Sequence, residues 1–262
     1  MVLSPPFFFK KIKMAINVNT VYTTVLNILN KEQRGYLTPD EFNKIATQVQ
    51  LEIFEKFFED YNQYIRMPKT DVEFASRMDH IMEEFQVFEK TEFADNTTPP
   101  TSNVYAQPTD LHRFGSASWN KGTNSPPIEI LSNRDYNKVK LSPLTQPTNN
   151  FPVAKYKQDK LTVFPSPTIF VNTDVTFNYI RKPLDIVWAY SVGSLGQYIY
   201  EPTNTGAGVV PTTGSVNFEI SESQQTEVIL EILKYSGIII RDPQIIQAAS
   251  QELAQEEVNS KR

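Results

Sequence analysis

Apolar residues recur every three or four positions at both ends of the chain, which is the spacing of a helix face. In residues 14–93 this spacing predicts three helices. They cover about residues 19–31, a stretch from 39 to about 65, and 71–90. In residues 221–262 the same spacing predicts two more, at about 221–235 and from 243 to about 258. The chain therefore begins and ends with helical segments.

Residues that favour helix ends occur beside these apolar stretches. Thr38 is an expected N-cap of the second helix, with Pro39 in the first helical position and Glu41 completing a capping box. Gly237 is an expected C-cap of the fourth helix. Asp242 is an expected N-cap of the fifth. These caps predict where the helices begin and end.

The middle of the chain follows a different pattern. Residues 94–127 are polar and rich in Pro, Asn and Thr, which predicts a long extended loop. Residues 128–220 predict a small antiparallel β region with proline-marked edges. Across the middle of the chain the candidate strands are His112–Trp119, Lys138–Leu141, Pro152–Tyr156, Lys160–Phe164 and Val175–Arg181. The predicted fold class is α+β.

Composition removes several classes of function. The 262 residues contain no Cys, so the chain has no disulfide, thiolate metal site or cysteine nucleophile. Its only histidines are His80 and His112, which argues against multi-histidine metal chemistry. The longest apolar run is far too short for a membrane helix. The net charge of −5, without a basic stripe, disfavours a DNA-binding role.

Catalytic and metal motifs are weak. Residues 30–41 imitate a calcium-binding EF-hand loop, but Arg34 stands at a ligand position. We therefore interpret the segment as a turn between helices. The adjacent carboxylates Glu83 and Glu84 face different ways on a helix, and no nucleophile or phosphate-loop motif is present. The predicted protein is not an enzyme, with no catalytic residue, metal site or cofactor.

The last helix offers the candidate interface residues. Ile245, Ile246, Ala249 and Leu253 lie on one side of it, after a run of three isoleucines. So much apolar surface on a terminal helix requires a cover. Two alternatives remain open: the helix packs on the chain's own β region, or it docks on another protein.

Four segments together resemble the head-to-tail connector proteins of tailed phages, also called ring or tail adaptor proteins, and those of crAss-like podoviruses most of all. The segments are KEQRGYLTPDEFNKIATQVQLEIFEKFFEDYN, SPLTQPTNNFPV, YIRKPLDIVWAY and FEISESQQTEVILEILKYSGIIIRDPQIIQAASQELAQEE. The resemblance covers roughly residues 14–258. Residues 1–13, with three lysines, lie outside it and are interpreted as a translated leader or a flexible arm.

The resemblance implies a virion structural protein at the junction of portal and tail, made in the bacterial host cytoplasm. It implies a homo-oligomeric ring of twelve copies that binds the portal and other tail or ring proteins. DNA would pass through its channel without sequence-specific binding, and no membrane would be involved. Two alternatives remain: another tail or capsid accessory protein of the virion, and a calcium-responsive module built on residues 30–41.

Overall fold

The computed structural model describes most of the chain. The described residues are 15–31, 36–66, 81–94, 103–120, 125–165, 174–203, 210–211, 214–240 and 243–260. The chain divides into two compact units. Unit 1 combines residues 1–84 and 183–262, and unit 2 is residues 85–182. Helices predominate in unit 1 and strands in unit 2, which confirms the α+β class.

The elements are numbered here in chain order. The helices are α1 (Val18–Lys31), α2 (Pro39–Arg66), α3 (Asn133–Leu141), α4 (Gln225–Ile240) and α5 (Pro243–Ser260). The strands are β1 (Glu89–Phe93), β2 (Val104–Ala106), β3 (Leu111–Trp119), β4 (Glu129–Ile130), β5 (Val153–Lys157), β6 (Lys160–Phe164), β7 (Val175–Arg181), β8 (Tyr190–Val192) and β9 (Tyr198–Tyr200). One 3-10 turn, Glu222–Gln224, precedes α4.

Unit 1 is a helical body that carries a two-stranded hairpin. Helix α4 packs on both α1 and α2, and α5 packs on α4. The buried positions of α2 include Phe42, Val49 and Phe54, which recur at the predicted helical spacing. The first two predicted helices are thus confirmed. Strands β8 and β9 form the hairpin.

The capping box of α2 is also confirmed. The Thr38 backbone N–H donates to the Glu41 carboxylate at 3.0 Å, and the Glu41 N–H donates to the Thr38 hydroxyl at 3.4 Å. The Thr38 hydroxyl itself donates to the same carboxylate at 2.6 Å. These hydrogen bonds lower the pKa of Glu41, because they favour its charged form.

Unit 2 consists of two sheets around one apolar core. One sheet has the order β1-β7-β3 and the other β2-β6-β5-β4. Tyr105, Trp119, Leu161 and Phe177 contribute large side chains to the core between them. Gly115 lies where β3 shifts register against β7, and a Cβ there would stand 2.8 Å from the Asn178 carbonyl oxygen. Only glycine allows that approach.

The β prediction needs three corrections. Strands β4 and β5 pair in parallel, so the β region is not wholly antiparallel. The strands followed by prolines, β6 and β7, are interior strands of their sheets, so these prolines end strands and do not mark edges. The stretch 94–127, predicted as a loop, contains β2, because pairing with β6 satisfies its backbone groups, while the strand predicted at His112–Trp119 is confirmed as β3.

Residues 138–141 are helical, so the strand predicted there is wrong. The alternation of Lys and apolar residues in this stretch imitates a strand. Ser132, however, caps a helix by accepting a hydrogen bond from the Asp135 N–H at 3.2 Å. Only Tyr136 of α3 is buried, and its ring lies 5.1 Å from that of Phe164. The local cap and this single anchor outweigh the period-two pattern.

The third predicted helix, residues 71–90, is only partly tested, because 71–80 lie outside the described residues. Residues 81–85 are helical, but 89–93 form β1. Pairing with β7, from Glu89 opposite Ile180 to Phe93 opposite Thr176, explains the change. The apolar spacing of residues 89–93 suits a helix, but pairing with β7, which is distant in the sequence, makes them a strand.

Gly237 does not cap α4, so that prediction is wrong. It lies inside the helix, which continues to Ile240. A Cβ at Gly237 would stand 3.0 Å from Cγ1 of Ile246 and 3.2 Å from Cγ2 of Ile245. The glycine leaves room for these two side chains where α4 and α5 come close. The expected cap Asp242 and residues 1–13 lie outside the described residues.

Candidate interaction surfaces

A row of polar side chains on α2 holds the chain that leads into β8. The Gln50 side-chain amide donates to the Leu184 carbonyl at 2.8 Å. The Ile186 N–H donates to the Thr47 hydroxyl at 3.0 Å, and the Trp188 N–H donates to Asn43 Oδ1 at 2.7 Å. The spacing on α2 is i, i+4, i+7, while alternate residues of the extended segment are bound. The helix therefore fixes the base of the hairpin.

Trp188 anchors the hairpin at this base. Its ring is buried, lies 4.4 Å from that of Tyr22, and stacks near those of Tyr190 and Tyr200. Its indole N–H donates to Asn19 Oδ1 on α1 at 3.0 Å. Burial raises the pKa of the Tyr22 hydroxyl, which donates to a backbone carbonyl. Strands β8 and β9 therefore begin and end at a packed cluster of aromatic rings.

The β8–β9 hairpin exposes apolar side chains at and near its turn. Leu195 is 90% exposed. The Gly193 N–H donates to the Gln197 carbonyl at 2.9 Å across the turn, and the Leu195 N–H donates to the Gln197 side-chain oxygen at 3.2 Å. Gly196 supplies a positive φ of 81°. We call Leu195 with the exposed Val192 and Ile199 the hairpin tip.

The connection between α3 and β5 is a second exposed apolar surface. Leu141 is 82% exposed, Leu144 94% and Phe151 78%, all within residues 141–151. Thr148 and Phe151 exchange two backbone hydrogen bonds, of 3.0 and 3.3 Å, so the turn before β5 is closed. A defined turn that exposes a phenylalanine is unusual for a surface that faces only water.

Basic residues are frequent in the sequence on both sides of this connection. Residues 129–160 contain six Lys or Arg and three Asp or Glu, a net charge of +3. Lys138 and Lys157 are exposed. The exposed Lys140 and the half-buried Lys155 lie over the rings of Phe164 and Tyr136, at 5.0 and 5.2 Å. We call Leu141, Leu144 and Phe151, with the exposed Lys138 and Lys140 at the end of α3, the basic apolar surface.

The interface residues expected from the sequence lie on α5, where they face α4. Ile245 and Ile246 are half-buried against Gly237. Ala249 is buried and Leu253 is half-buried. The cover that the structure shows for Ile245 and Ile246 is the preceding helix. Docking of these residues on another protein stays a prediction.

Unit 2 contains one compact polar cluster. Lys90 contacts the Asp110 carboxylate at 2.9 Å and that of Glu92 at 3.1 Å. The Tyr179 hydroxyl lies 2.7 Å from Asp110 and 2.9 Å from Glu92. Burial disfavours the charged form of Asp110, but hydrogen bonds from Tyr179 and Lys90 outweigh it and lower its pKa. Burial, reinforced by both carboxylates, raises the pKa of Tyr179.

This cluster has the character of a structural clamp. Its four groups satisfy one another and join β1, β7 and the residue before β3. A general base requires a carboxylate that can accept a substrate proton, and here both carboxylates are already bound to Lys90. The cluster holds the edges of the β1-β7-β3 sheet together.

The described residues offer little else for chemistry. Within them, no three acidic or histidine side chains form a group that could hold a metal ion. The Glu41 carboxylate, which would be the last ligand of the EF-hand-like segment, bonds to Thr38, while residues 32–35 lie outside the described part. Nor does any helix in the described ranges have the length and apolarity to cross a membrane.

The exposed apolar residues were not identified from the sequence. Leu144 and Leu195 lie in SPLTQPTNN and SVGSLGQ, segments that are otherwise polar and rich in turn residues. A lone leucine in such a segment has no helical or strand period, so the search for amphipathic faces passes over it. The signal available was the large apolar residue within turn-forming sequence.

Comparison with protein-family models and with curated proteins gives no significant match.

Proposed function

We propose that this protein is a non-enzymatic virion component that assembles into a closed ring between portal and tail. The observation that carries the proposal is the pair of different exposed apolar surfaces, the hairpin tip and the basic apolar surface. A ring requires each copy to offer two unlike patches, one to each neighbour. The resemblance of four segments to phage connector proteins supports the position in the virion.

The way these surfaces are built also supports assembly. Leu195 is held out by a hydrogen-bonded turn above an aromatic base, and Phe151 by a closed turn. Rigid presentation lowers the entropy lost when a partner binds. The closed polar clamp of unit 2 and the capping role of Glu41 agree with a protein that acts through surfaces.

The test is to image the purified protein and measure its mass in solution. We expect closed rings of uniform symmetry, twelve-fold if the resemblance holds, and binding of the portal protein to one face. Leu195→Asp should reduce either ring formation or portal binding, with an unchanged melting temperature. Asn27→Asp, at an exposed position of α1, is the control that adds the same single negative charge.

A protein that stays monomeric at every concentration, alone and with portal protein, would contradict the proposal. Imaging of virions would distinguish the connector from another accessory component of tail or capsid, because each occupies a different place in the particle.

The calcium-responsive alternative makes an opposite prediction. Calcium that bound only the folded protein would raise its melting temperature. Because the Glu41 carboxylate bonds to Thr38, we expect calcium at about millimolar concentration, enough to fill even a weak site, to leave the melting temperature unchanged. Glu41→Gln is the control. A calcium-dependent rise that this variant abolished would favour the regulatory module.

A further inference from the structure

We propose that the outer edge of β1 pairs with the same edge of a second copy of this chain, so that two three-stranded sheets join into one continuous sheet. The two copies are related by a two-fold axis that passes between their Thr91 residues. The contact goes beyond the proposed function, because a two-fold pair is closed on itself and neither builds a ring nor needs one.

The register of β1 on β7 determines which backbone groups of β1 are used within the sheet. Just outside the two ends of the strand, the Phe88 carbonyl accepts and the Ala94 N–H donates a backbone hydrogen bond with β7, at 2.9 and 2.8 Å. In an antiparallel pair, residues two apart direct their backbone groups to the same side. The backbone groups of Lys90 and Glu92 therefore face β7 as well.

The other three residues of β1 form an open edge. The N–H and C=O groups of Glu89, Thr91 and Phe93 point away from β7, and within the described part of the chain they have no backbone partner. All three residues are exposed, Phe93 by 57%. The strand contains no proline, and no bulge interrupts its pairing with β7. Such an edge is a template for another strand.

The charges of β1 determine which strand fits this edge. Charged residues on an edge strand usually prevent pairing with a further strand. In an antiparallel pair centred on Thr91, however, Lys90 of each copy lies opposite Glu92 of the other, and the two threonines face each other. Opposite charges and paired threonines both stabilise neighbouring strands. The sequence of β1 is therefore complementary to itself.

Other antiparallel registers are unfavourable. A shift of two residues places Lys90 opposite Lys90 in one direction and Glu92 opposite Glu92 in the other, and like charges directly opposite each other are destabilising. A shift of one residue places the outward-facing backbone groups opposite residues whose own groups already face β7. The register centred on Thr91 satisfies both the backbone groups and the charges.

These charges select the register and do not supply the binding energy. Lys90 already contacts Asp110 and Glu92 in its own chain, although the side chains of Lys90 and Glu92 are 38% and 46% exposed. The pair gains its free energy from backbone hydrogen bonds and from Phe93, which covers the stem of Glu89 in the second copy. An edge of five residues is a small interface, so we expect a weak and reversible pair.

Cross-linking through introduced cysteines tests the register. The chain has no native cysteine. A short reagent that joins two thiols should link Thr91→Cys chains to each other, because the Cα atoms of directly opposite residues lie about 5.5 Å apart. It should not link Glu89→Cys chains, whose cysteines lie about 14 Å apart along the strands. A mixture of Glu89→Cys and Phe93→Cys chains should form mixed dimers.

Proline at position 91 tests the backbone contact. The Thr91 N–H does not face β7, so Thr91→Pro removes an outward donor and leaves the hydrogen bonds of the sheet in place. In the Glu89→Cys and Phe93→Cys chains, it should lower the yield of mixed dimers at least about tenfold. Thr91→Val is the matched control and should retain the yield, since it keeps the N–H and the preference for a strand. Circular dichroism establishes that each variant is folded.

Amide exchange in the wild-type protein gives the same information if the proline variant fails to fold. Exchange of the Thr91 N–H should slow as the protein concentration rises, because pairing protects it. Exchange of the Lys90 N–H, which faces β7, should not depend on concentration.

Equal linking of Glu89→Cys and Thr91→Cys chains, or no linking of any chain, would overturn the inference. A Thr91 N–H that exchanges slowly at every concentration would overturn it too, because the chain itself would then cover the edge.

The proline variant also separates this inference from the proposed function. Rings that form normally from Thr91→Pro chains, together with loss of the mixed dimers, would support a pair that is distinct from the ring. Rings that are lost in this variant would assign the β1 edge to the ring contact and overturn the two-fold pair. Wild-type chains that cross-link in the expected register but never form rings would contradict the proposed function alone.

Discussion

The C-terminal helices and the α3–β5 connection both carry large apolar residues, but only the former are covered by their own chain. Ile245 and Ile246 lie against Gly237 of the neighbouring helix. Leu144 and Phe151 lie almost wholly in solvent. The apolar face of α5 is covered by the helix that precedes it, whereas the isolated apolar residues on closed turns stay available for a partner. The second kind is the better indicator of an interface here.

Charges placed in the contact between α4 and α5 should have the largest effect on stability. We expect Ile245→Asp with Ile246→Asp to lower the free energy of unfolding by about 3 kcal/mol or more, because carboxylates would be pressed against α4. Denaturant titration measures the change. If the variant unfolds like wild type but does not assemble, then α5 is a docking element and the comparison is wrong.

A second test removes the space between α4 and α5. Gly237→Leu should lower the free energy of unfolding by about 1–3 kcal/mol, since its side chain would overlap Ile245 and Ile246. Gly237→Ala is the control, because its Cβ meets the same atoms but gains helix propensity. Equal stability of the leucine variant and wild type would mean that the helices can separate at little cost.

In the polar clamp of unit 2, charged groups are paired within their own chain. Lys90→Met should cost about 0.5–1 kcal/mol, a small value because Lys90 is partly exposed. The lowered pKa of Asp110 stabilises the fold above its ordinary value of 3.8, and this contribution is lost as pH falls through the folded value. The difference between variant and wild type should therefore shrink in acid.

Acid titration of Lys90→Met beside Tyr179→Phe checks the clamp. Tyr179→Phe keeps the ion pair and removes only the hydroxyl. A stability difference between Lys90→Met and wild type that did not change below pH about 3 would contradict the assigned role of Asp110.

The smallest change in the free energy of unfolding is expected at the exposed leucines. Leu144→Asp and Leu195→Asp should each change the free energy of unfolding by less than about 0.5 kcal/mol, because both side chains already face water. These substitutions make the same chemical change as those in α5. A loss of more than about 2 kcal/mol would show that these leucines are covered in the folded chain, and they would no longer serve as interface candidates.

Local patterns were sufficient for the helices of unit 1 and for several strands. The Thr38 and Glu41 capping box and the apolar spacing of α2 act within a few residues of one another, so the printed sequence contains the cause. The strand Val175–Arg181 was likewise predicted from its alternation, which matches its burial pattern. Such features depend on neighbours along the chain.

Contacts between distant residues decided the rest. Glu89–Phe93 forms a strand because it pairs with β7. Gly237 lies inside a helix, where it leaves room for the side chains of Ile245 and Ile246. The role of Asn43, Thr47 and Gln50 cannot be inferred from the sequence, because their hydrogen-bond partners are the distant residues 184–188. Exposure is also a property of the whole fold. A sequence shows that Leu144 and Leu195 are apolar, but only the tertiary arrangement leaves them without cover, because burial depends on what the chain brings back to each position.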